Sequence, residues 1–419
     1  MTHAMVKGIV ATAVGFSMAG AVAQATELSV WAWDPNFNVA IMNEAGERYT
    51  AMHSDVTVKV EDTAKDSLEQ KLHTSLASGM TKTLPDIVLI EDYNAQKYLQ
   101  AYPGAFAAME KVVDYSSFAP YKVDVMTIGD SVYGIPFDTG VTGMYYRTDI
   151  LADAGFTAED LQDITWERFI EIGKVVKEKT GKEMLGNDPN DPGLIRVMMQ
   201  SAGSWYFDKD GNVDIKNNAA LKESLELIRD MTKSGIARPT MGWSEWVGTV
   251  NSGQVASITT GVWITGSVKS NPDQSGLWAV APTPRLTVEG ATQTSNLGGS
   301  SWYVLNSSEN KDAAIAFLNE IYTQDKEFYQ KILVDRGAVG SYLGAGEGAA
   351  YQTEDAFFAG QKVYSDFSDW TAQIPKVNYG MYTYEADAAL SAQLPALLQG
   401  TDVDTVLERI EQQLKNQIQ

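Results

Sequence analysis

Cysteine is absent from this chain. With it go disulfides, thiolate zinc sites, cysteine nucleophiles and the lipidated cysteine that tethers some exported proteins. Histidine is scarce: three in 419 residues, at positions 3, 53 and 73. His3 falls in the leader described below, and two histidines without cysteine leave little for a His-metal cluster or a Ser-His-Asp triad. No metal or cofactor is expected. Basic residues are also few, 32 Lys and Arg against 54 Asp and Glu, for a net charge of −22. Such a surface disfavours nucleic acid and anionic membrane as partners. Past the N-terminus, no apolar run approaches the ~20 residues that a membrane span requires.

Lys7 precedes an apolar, small-residue-rich stretch from Gly8 to Ala21. Ala21-Val22-Ala23 and Ala23-Gln24-Ala25 both satisfy the A-x-A cleavage rule. Residues 1–25 therefore read as a signal peptide, and the expected location is the periplasm, without a lipid anchor. At roughly 150 residues per domain, the remainder predicts two or three domains.

Glu27 to Trp33 alternates in the period-two manner of a strand, and Asp34-Pro35 stops it. Helical spacing follows from Val39 to Met52, alternation from Val56 to Val60, and a Leu68, Leu72, Leu76 stripe over Asp66–Ser78. Asp86-Ile-Val-Leu-Ile90 is the continuous apolar run of a buried parallel strand. This alternation of strand and helix predicts an α/β layer with a parallel sheet. Ligands of such sheets lie beyond the carboxyl ends of the strands. Asp34 and the Glu91-Asp92-Tyr93 group both follow strands at such ends. Tyr133 to Arg147 carries no helical period and reads as a strand crossing between lobes. Thr165 reads as the N-cap and Gly181 as the stop of one helix, and Asp210-Gly211 as a hairpin turn.

Ten tryptophans are present. Trp33, Trp205, Trp243, Trp263 and Trp370 read as strand ends or loops, and Trp166 and Trp246 as helical core. An aromatic face beside a carboxylate suits a sugar, whose C–H face packs on the ring while its hydroxyls donate to the acid. Core packing competes with that reading for each ring. Asp208 to Asp214 resembles a calcium loop only loosely, since its Gly stands fourth instead of sixth, and a hairpin turn fits better. Asn296-Leu-Gly-Gly-Ser300 suits a hinge or a close backbone approach better than a phosphate loop.

Taken in order, Gly134-Ile-Pro-Phe-Asp-Thr-Gly140, Met144 to Gly155, Thr165-Trp-Glu167, Gly253 to Trp263, Gly298-Gly-Ser300, Lys311 to Leu318 and Arg336-Gly-Ala-Val339 carry a family resemblance. The chain resembles the extracellular solute-binding proteins of ABC sugar importers, of the maltose and lactose type. The resemblance implies a two-lobed α/β fold with the ligand held between lobes joined by crossing strands. It places 26–138 with 300–335 in the N-terminal lobe and 139–299 with 336–419 in the C-terminal lobe. The implied sugar contacts are Trp33, Asp34, Glu91, Asp92, Asp138, Trp205, Trp263 and Tyr379, with Arg336 reaching in from a third crossing. Trp243 and Gly299 complete the expected set. The implied function is capture of a disaccharide or short oligosaccharide by a monomeric, non-enzymatic receptor, and its delivery to ABC permease subunits. A monosaccharide, polyol or glycerol-conjugate binder of the same fold is one alternative, and a periplasmic glycan-degrading enzyme is another.

Overall fold

The computed structural model describes Met1 and residues 25–418. All but the two ends of the expected leader lies outside the described residues. In chain order the strands are β1 (Thr26–Ala32), β2 (Val56–Asp62), β3 (Ile87–Glu91), β4 (Thr127–Ile128), β5 (Ser131–Val132), β6 (Gly134–Pro136), β7 (Thr142–Arg147), β8 (Glu183–Asn187), β9 (Ala237–Pro239), β10 (Val255–Gly261), β11 (Trp278–Ala281) and β12 (Ser300–Val304). They form two five-stranded sheets, β2-β1-β3-β12-β6 and β11-β7-β10-β8-β9, and a small β4-β5 pair. In the first sheet β1 runs parallel to β2 and β3, while β12 runs antiparallel to β3 and β6. In the second, β8 runs parallel to β10 and β9, and β7 antiparallel to β10 and β11. Helices cover both sheets, which makes two α/β lobes.

Local chemistry accounts for most element boundaries. The side chain of Thr165 accepts from the Arg168 amide and opens the helix Trp166–Thr180, and Gly181 closes it in the left-handed conformation at φ 72°. β1 ends at Ala32, two residues before the expected stop. Asp34 sits in the left-handed region at φ 63°. Its Oδ1 accepts from the amides of Asn36 and Phe37 at 3.1 and 3.2 Å, turning the chain into the helix Asn38–Met52. The segment around Asp210-Gly211 turns as expected. Asp208 Oδ1 accepts from the amides of Asp210 and Asn212, both at 2.9 Å, and a single Phe207–Val213 bridge stands in place of a hairpin ladder.

Tyr133 to Arg147 divides between the sheets, β6 in the first and β7 in the second, so 137–141 crosses between them. Two other segments run alongside. The Leu297 amide donates to Gly140 O at 2.8 Å, and the Thr139 amide to Val339 O at 3.0 Å. Gly140 is obligatory there, because a Cβ would stand 2.1 Å from Leu297 O. Beneath this crossing lies a fully buried ion pair. Lys122 Nζ donates to Asp92 at 2.7 and 2.9 Å and to Ser300 O at 2.8 Å, and Ser301 Oγ donates to Asp92 at 3.2 Å. The pair pins the start of the helix Asp92–Ala101 to the start of β12. Among the described residues no helix is long and apolar enough to cross a membrane, and no His, Asp and Glu group is arranged to hold a metal.

Removing one partner of a buried pair strands the other charge. Lys122→Met should therefore lower stability by about 3–5 kcal/mol, read as a fall in the urea midpoint at constant slope. A midpoint close to wild type would contradict the role given to the pair.

Candidate functional site

Two adjoining cavities lie between the lobes. The first, about 490 Å³, is walled by Glu91 and Tyr93 from one lobe and by Asn187, Asp188, Asp191, Arg196, Thr259, Thr260 and Tyr384 from the other. Asp188 and Asp191 come from the loop after β8, beyond that strand's carboxyl end as the parallel-sheet rule requires, and Glu91 ends β3. The Asp188 carboxylate also accepts from the amides of Asn190 and Gly242, both at 2.9 Å, which ties the loop to the helix Gly242–Asn251. Arg196 Nη1 donates to Asp387 at 3.2 Å, and the guanidinium lies 5.0 Å over the Tyr93 ring of the opposite lobe.

The second cavity, about 710 Å³, is lined by Trp33, Asp34 and Asp138 on one side and by Val262, Thr265 and Lys269 on the other. Asp138 Oδ1 accepts from the Ser300 amide at 2.7 Å, leaving its other oxygen uncommitted. Burial, reinforced by the nearby Asp92 charge, raises the Asp138 carboxyl to about 6, against the opposing pull of Lys122 and the Ser300 amide.

Trp243 and Trp263 belong to both cavities. Their ring centroids are 5.7 Å apart, and Trp246 stands 5.7 Å behind Trp243. Trp263 follows β10 in the short turn Val262–Ile264, and its Nε1 donates to Leu297 O at 2.8 Å, so its ring is held edge-on to the crossing. Trp246 Nε1 donates to Gly186 O at 3.1 Å. Both rings keep an exposed face while their polar edges are already satisfied, which leaves stacking as their available interaction.

Of the residues expected from the sequence, Trp33, Asp34, Glu91, Asp138, Trp243, Trp263 and Arg336 line one or both cavities. Their settings differ from expectation. Trp243 is the second residue of a helix, not a loop residue, and Arg336 ends the helix Lys326–Arg336 where a crossing was expected. Glu91 is taken up by Lys65 Nζ and Tyr384 Oη, and Tyr384 belongs to the opposite lobe. Four expected residues line neither cavity. Asp92 is wholly buried against Lys122 and has no free oxygen to offer. Trp205 is 1% exposed, its Nε1 bound to Thr383 Oγ1 at 2.9 Å and its face stacked on Tyr93. Tyr379 donates to Gln200 at 2.9 Å from within the same aromatic cluster. Trp205 and Tyr379 instead border a separate groove crossed by the Asp124–Lys376 ion pair. Gly299, at φ 95°, presses its backbone against Asp92, where a Cβ would come within 2.8 Å of Oδ2. Trp31, expected on the same face as Trp33, also stays out of both cavities and packs half-buried under Lys71 Nζ, 5.4 Å from its ring.

Sequence reasoning placed Tyr93 at a strand end without carrying it into the expected contacts, and missed Asn187, Asp188, Asp191, Arg196, Trp246, Thr259, Thr260 and Tyr384. The Asp188 loop carried a usable signal, since it follows a strand that proved parallel. Trp246, read as core, is half-buried and lines the first cavity.

Two α/β lobes that enclose aromatic rings and polar side chains in a shared cleft define a two-lobed solute-binding architecture. The chain belongs to the bacterial extracellular solute-binding protein family, whose model matches residues 44–359. A lactose-binding protein of Rhizobium radiobacter is 60% identical over 395 residues, covering 94% of each chain. An arabinooligosaccharide-binding protein of Bacillus subtilis strain 168 is 26% identical, over 70% of this chain and 68% of its own. The fold matches the sugar-binding protein MalE of Xanthomonas citri with a TM-score of 0.79 at 18% identity, covering 94% of this chain and 98% of that one. It also matches the ABC transporter associated binding protein from B. animalis subsp. lactis Bl-04, with a TM-score of 0.72 at 23% identity, covering 94% and 97%.

Gly261 tests how the shared wall is set. A Cβ there would stand 2.2 Å from Trp263 Nε1, while its backbone at φ −66° accepts any residue. In protein labelled with 5-fluorotryptophan, Gly261→Ala should move the ¹⁹F resonance of Trp263, assigned by Trp263→Phe, and leave that of buried Trp166 in place. An unmoved Trp263 signal would contradict this packing.

Proposed function

We propose that the protein captures a disaccharide or short oligosaccharide of the lactose type between its lobes and delivers it to an ABC importer. One observation carries the reading: two aromatic faces, Trp243 and Trp263, form a single wall shared by two polar cavities. A single ring would need one cavity, and two rings joined by a glycosidic bond need adjoining ones. The lactose-binding relative supports the same ligand class. In this reading the pyranose faces pack on Trp243, Trp263 and Trp33. Asp188, Asp191 and Asn187 serve hydroxyls in the first cavity, and Asp34, Asp138 and Arg336 serve them in the second. Each charge-assisted bond contributes about 1.5–3 kcal/mol.

The lobes divide at 26–138 with 300–335 and 139–299 with 336–419. A sugar that touches both lobes only when they meet stabilises the closed form by that difference in contact. The closed form also has protein contacts of its own: Tyr384 with Glu91 and Lys65, and Lys97 with Glu385 at 2.8 Å. The family's extracellular character and the leader-like N-terminus together support export to the periplasm, where permease subunits of the inner membrane receive the loaded monomer. The protein acts as a carrier and returns its sugar uncleaved, which chromatography of an incubated mixture would verify. Appearance of the component monosaccharides would contradict it.

Trp263→Ala should weaken lactose binding by roughly thirtyfold, about 2 kcal/mol, in isothermal titration calorimetry, without loss of cooperative unfolding. Unchanged affinity would remove Trp263 from the site. Asp138 supplies a pH signature. Because its carboxyl is raised to about 6, it is anionic at pH 7.5 and protonated at pH 5. A neutral carboxyl makes a weaker bond to a hydroxyl than a carboxylate does, so affinity should fall roughly fivefold as pH drops through that range. In Asp138→Asn the fall should vanish; a profile of the same steepness would contradict the assignment.

A further inference from the structure

The helix Thr383–Leu398 opens against the interface between the lobes, and its first turn faces two ways. Within its own lobe, Thr383 Oγ1 accepts from Trp205 Nε1 at 2.9 Å, and Asp387 accepts from Tyr206 Oη at 2.7 Å and from Arg196 Nη1 at 3.2 Å. Across the interface, Tyr384 Oη donates to Glu91 and accepts from Lys65 Nζ at 3.1 Å, and Glu385 accepts from Lys97 Nζ at 2.8 Å. Lys65, Glu91 and Lys97 all belong to the other lobe in the division given above. Tyr384 and Glu91 line the first cavity, whereas Lys97 and Glu385 line neither cavity. The Lys97–Glu385 pair therefore touches no sugar in the proposed site, and its formation depends only on the lobes meeting.

A contact made only in the closed form raises the closed fraction, and apparent affinity scales with the fraction of protein in the binding-competent form. Resting on the disaccharide reading above, we infer that Lys97 and Glu385 are positioning residues for sugar binding, a latch that fastens the closed lobes from outside the cleft. The helix carries that hold inward. Two residues past Glu385, Asp387 holds Arg196, which lines the first cavity and lies 5.0 Å over Tyr93 of the other lobe. The latch is modest in strength, since its two side chains are 35% and 31% exposed. It also has a kinetic signature. The sugar enters while the lobes stand apart, before the pair exists, so the latch slows dissociation and leaves association unchanged.

The test measures lactose affinity by isothermal titration calorimetry, and both rate constants by stopped-flow tryptophan fluorescence, on the wild type, Lys97→Met, Glu385→Gln and the double variant. Each single change should weaken binding about fourfold. The double variant should be no weaker than either single one, because both remove the same contact. The loss should lie in the dissociation rate, with association unchanged. A wild type that binds lactose while either single variant keeps its affinity overturns the inference and leaves the disaccharide reading standing. So do losses that multiply in the double variant, or a loss carried by the association rate. A wild type that binds no lactose overturns both.

Discussion

The Asp92–Lys122 pair holds this molecule's working parts in register. Lys122 reaches Asp92, at the head of the helix that follows β3, and Ser300, at the head of β12, with both charges wholly buried. Desolvation pushes the Asp92 carboxyl upward, and the ammonium opposes it, so the pair persists only because each charge answers the other. The Ser300 amide in turn fixes Asp138, and Gly298 takes its place beside the first cavity through a bond from its amide to Tyr93 Oη at 3.1 Å. The crossing segments, the Asp138 carboxylate and the junction of the two cavities thus inherit their positions from one buried contact. Its value lies in specifying geometry, since an apolar pair of the same volume could match its stability.

Above that anchor the cleft separates two tasks. In the proposed reading the tryptophans provide flat faces for the sugar, and Trp263, whose indole N–H is already bonded to Leu297 O, would lose little freedom when a ring settles on it. In the same reading, the carboxylates and amides arranged around them would accept from and donate to the sugar's hydroxyls. Glu91, drawn between Lys65 of its own lobe and Tyr384 of the other, spends its charge on holding the lobes together. Arg196 does both, since it lines the first cavity and lies over Tyr93 across the interface. In the proposed reading binding and closure would be coupled through the same few side chains, so that occupancy biases closure.

Much of the architecture was legible in the chain. The apolar run before Glu91 read as a buried parallel strand and pairs parallel with β1, though antiparallel with β12, and Thr165 and Gly181 punctuate their helix as their chemistry dictates. The candidate cleft was partly legible at strand ends, as at Trp33 and Asp34, which line the second cavity. Trp205 and Tyr379 show where one-dimensional reading stops. Both look like exposed loop aromatics, yet tertiary packing draws them into a cluster with Tyr93 that sequence spacing cannot announce. Asp92 failed for a related reason: a carboxylate at a strand end can serve a ligand or a lysine, and the choice depended on a residue thirty positions away. Tyr384 was missed because its place beside Glu91 exists only once the lobes face each other.

The central claim is that the two adjoining cavities form one disaccharide site with Trp243 and Trp263 as its common wall. A crystal structure of the protein grown with lactose tests it most directly. The account predicts one ring in each cavity, both packed on the shared tryptophans and with oxygen contacts to Asp188 and Asp138. A sugar seated instead in the groove between Asp124 and Lys376, or confined to a single cavity without contact to Trp263, would contradict it.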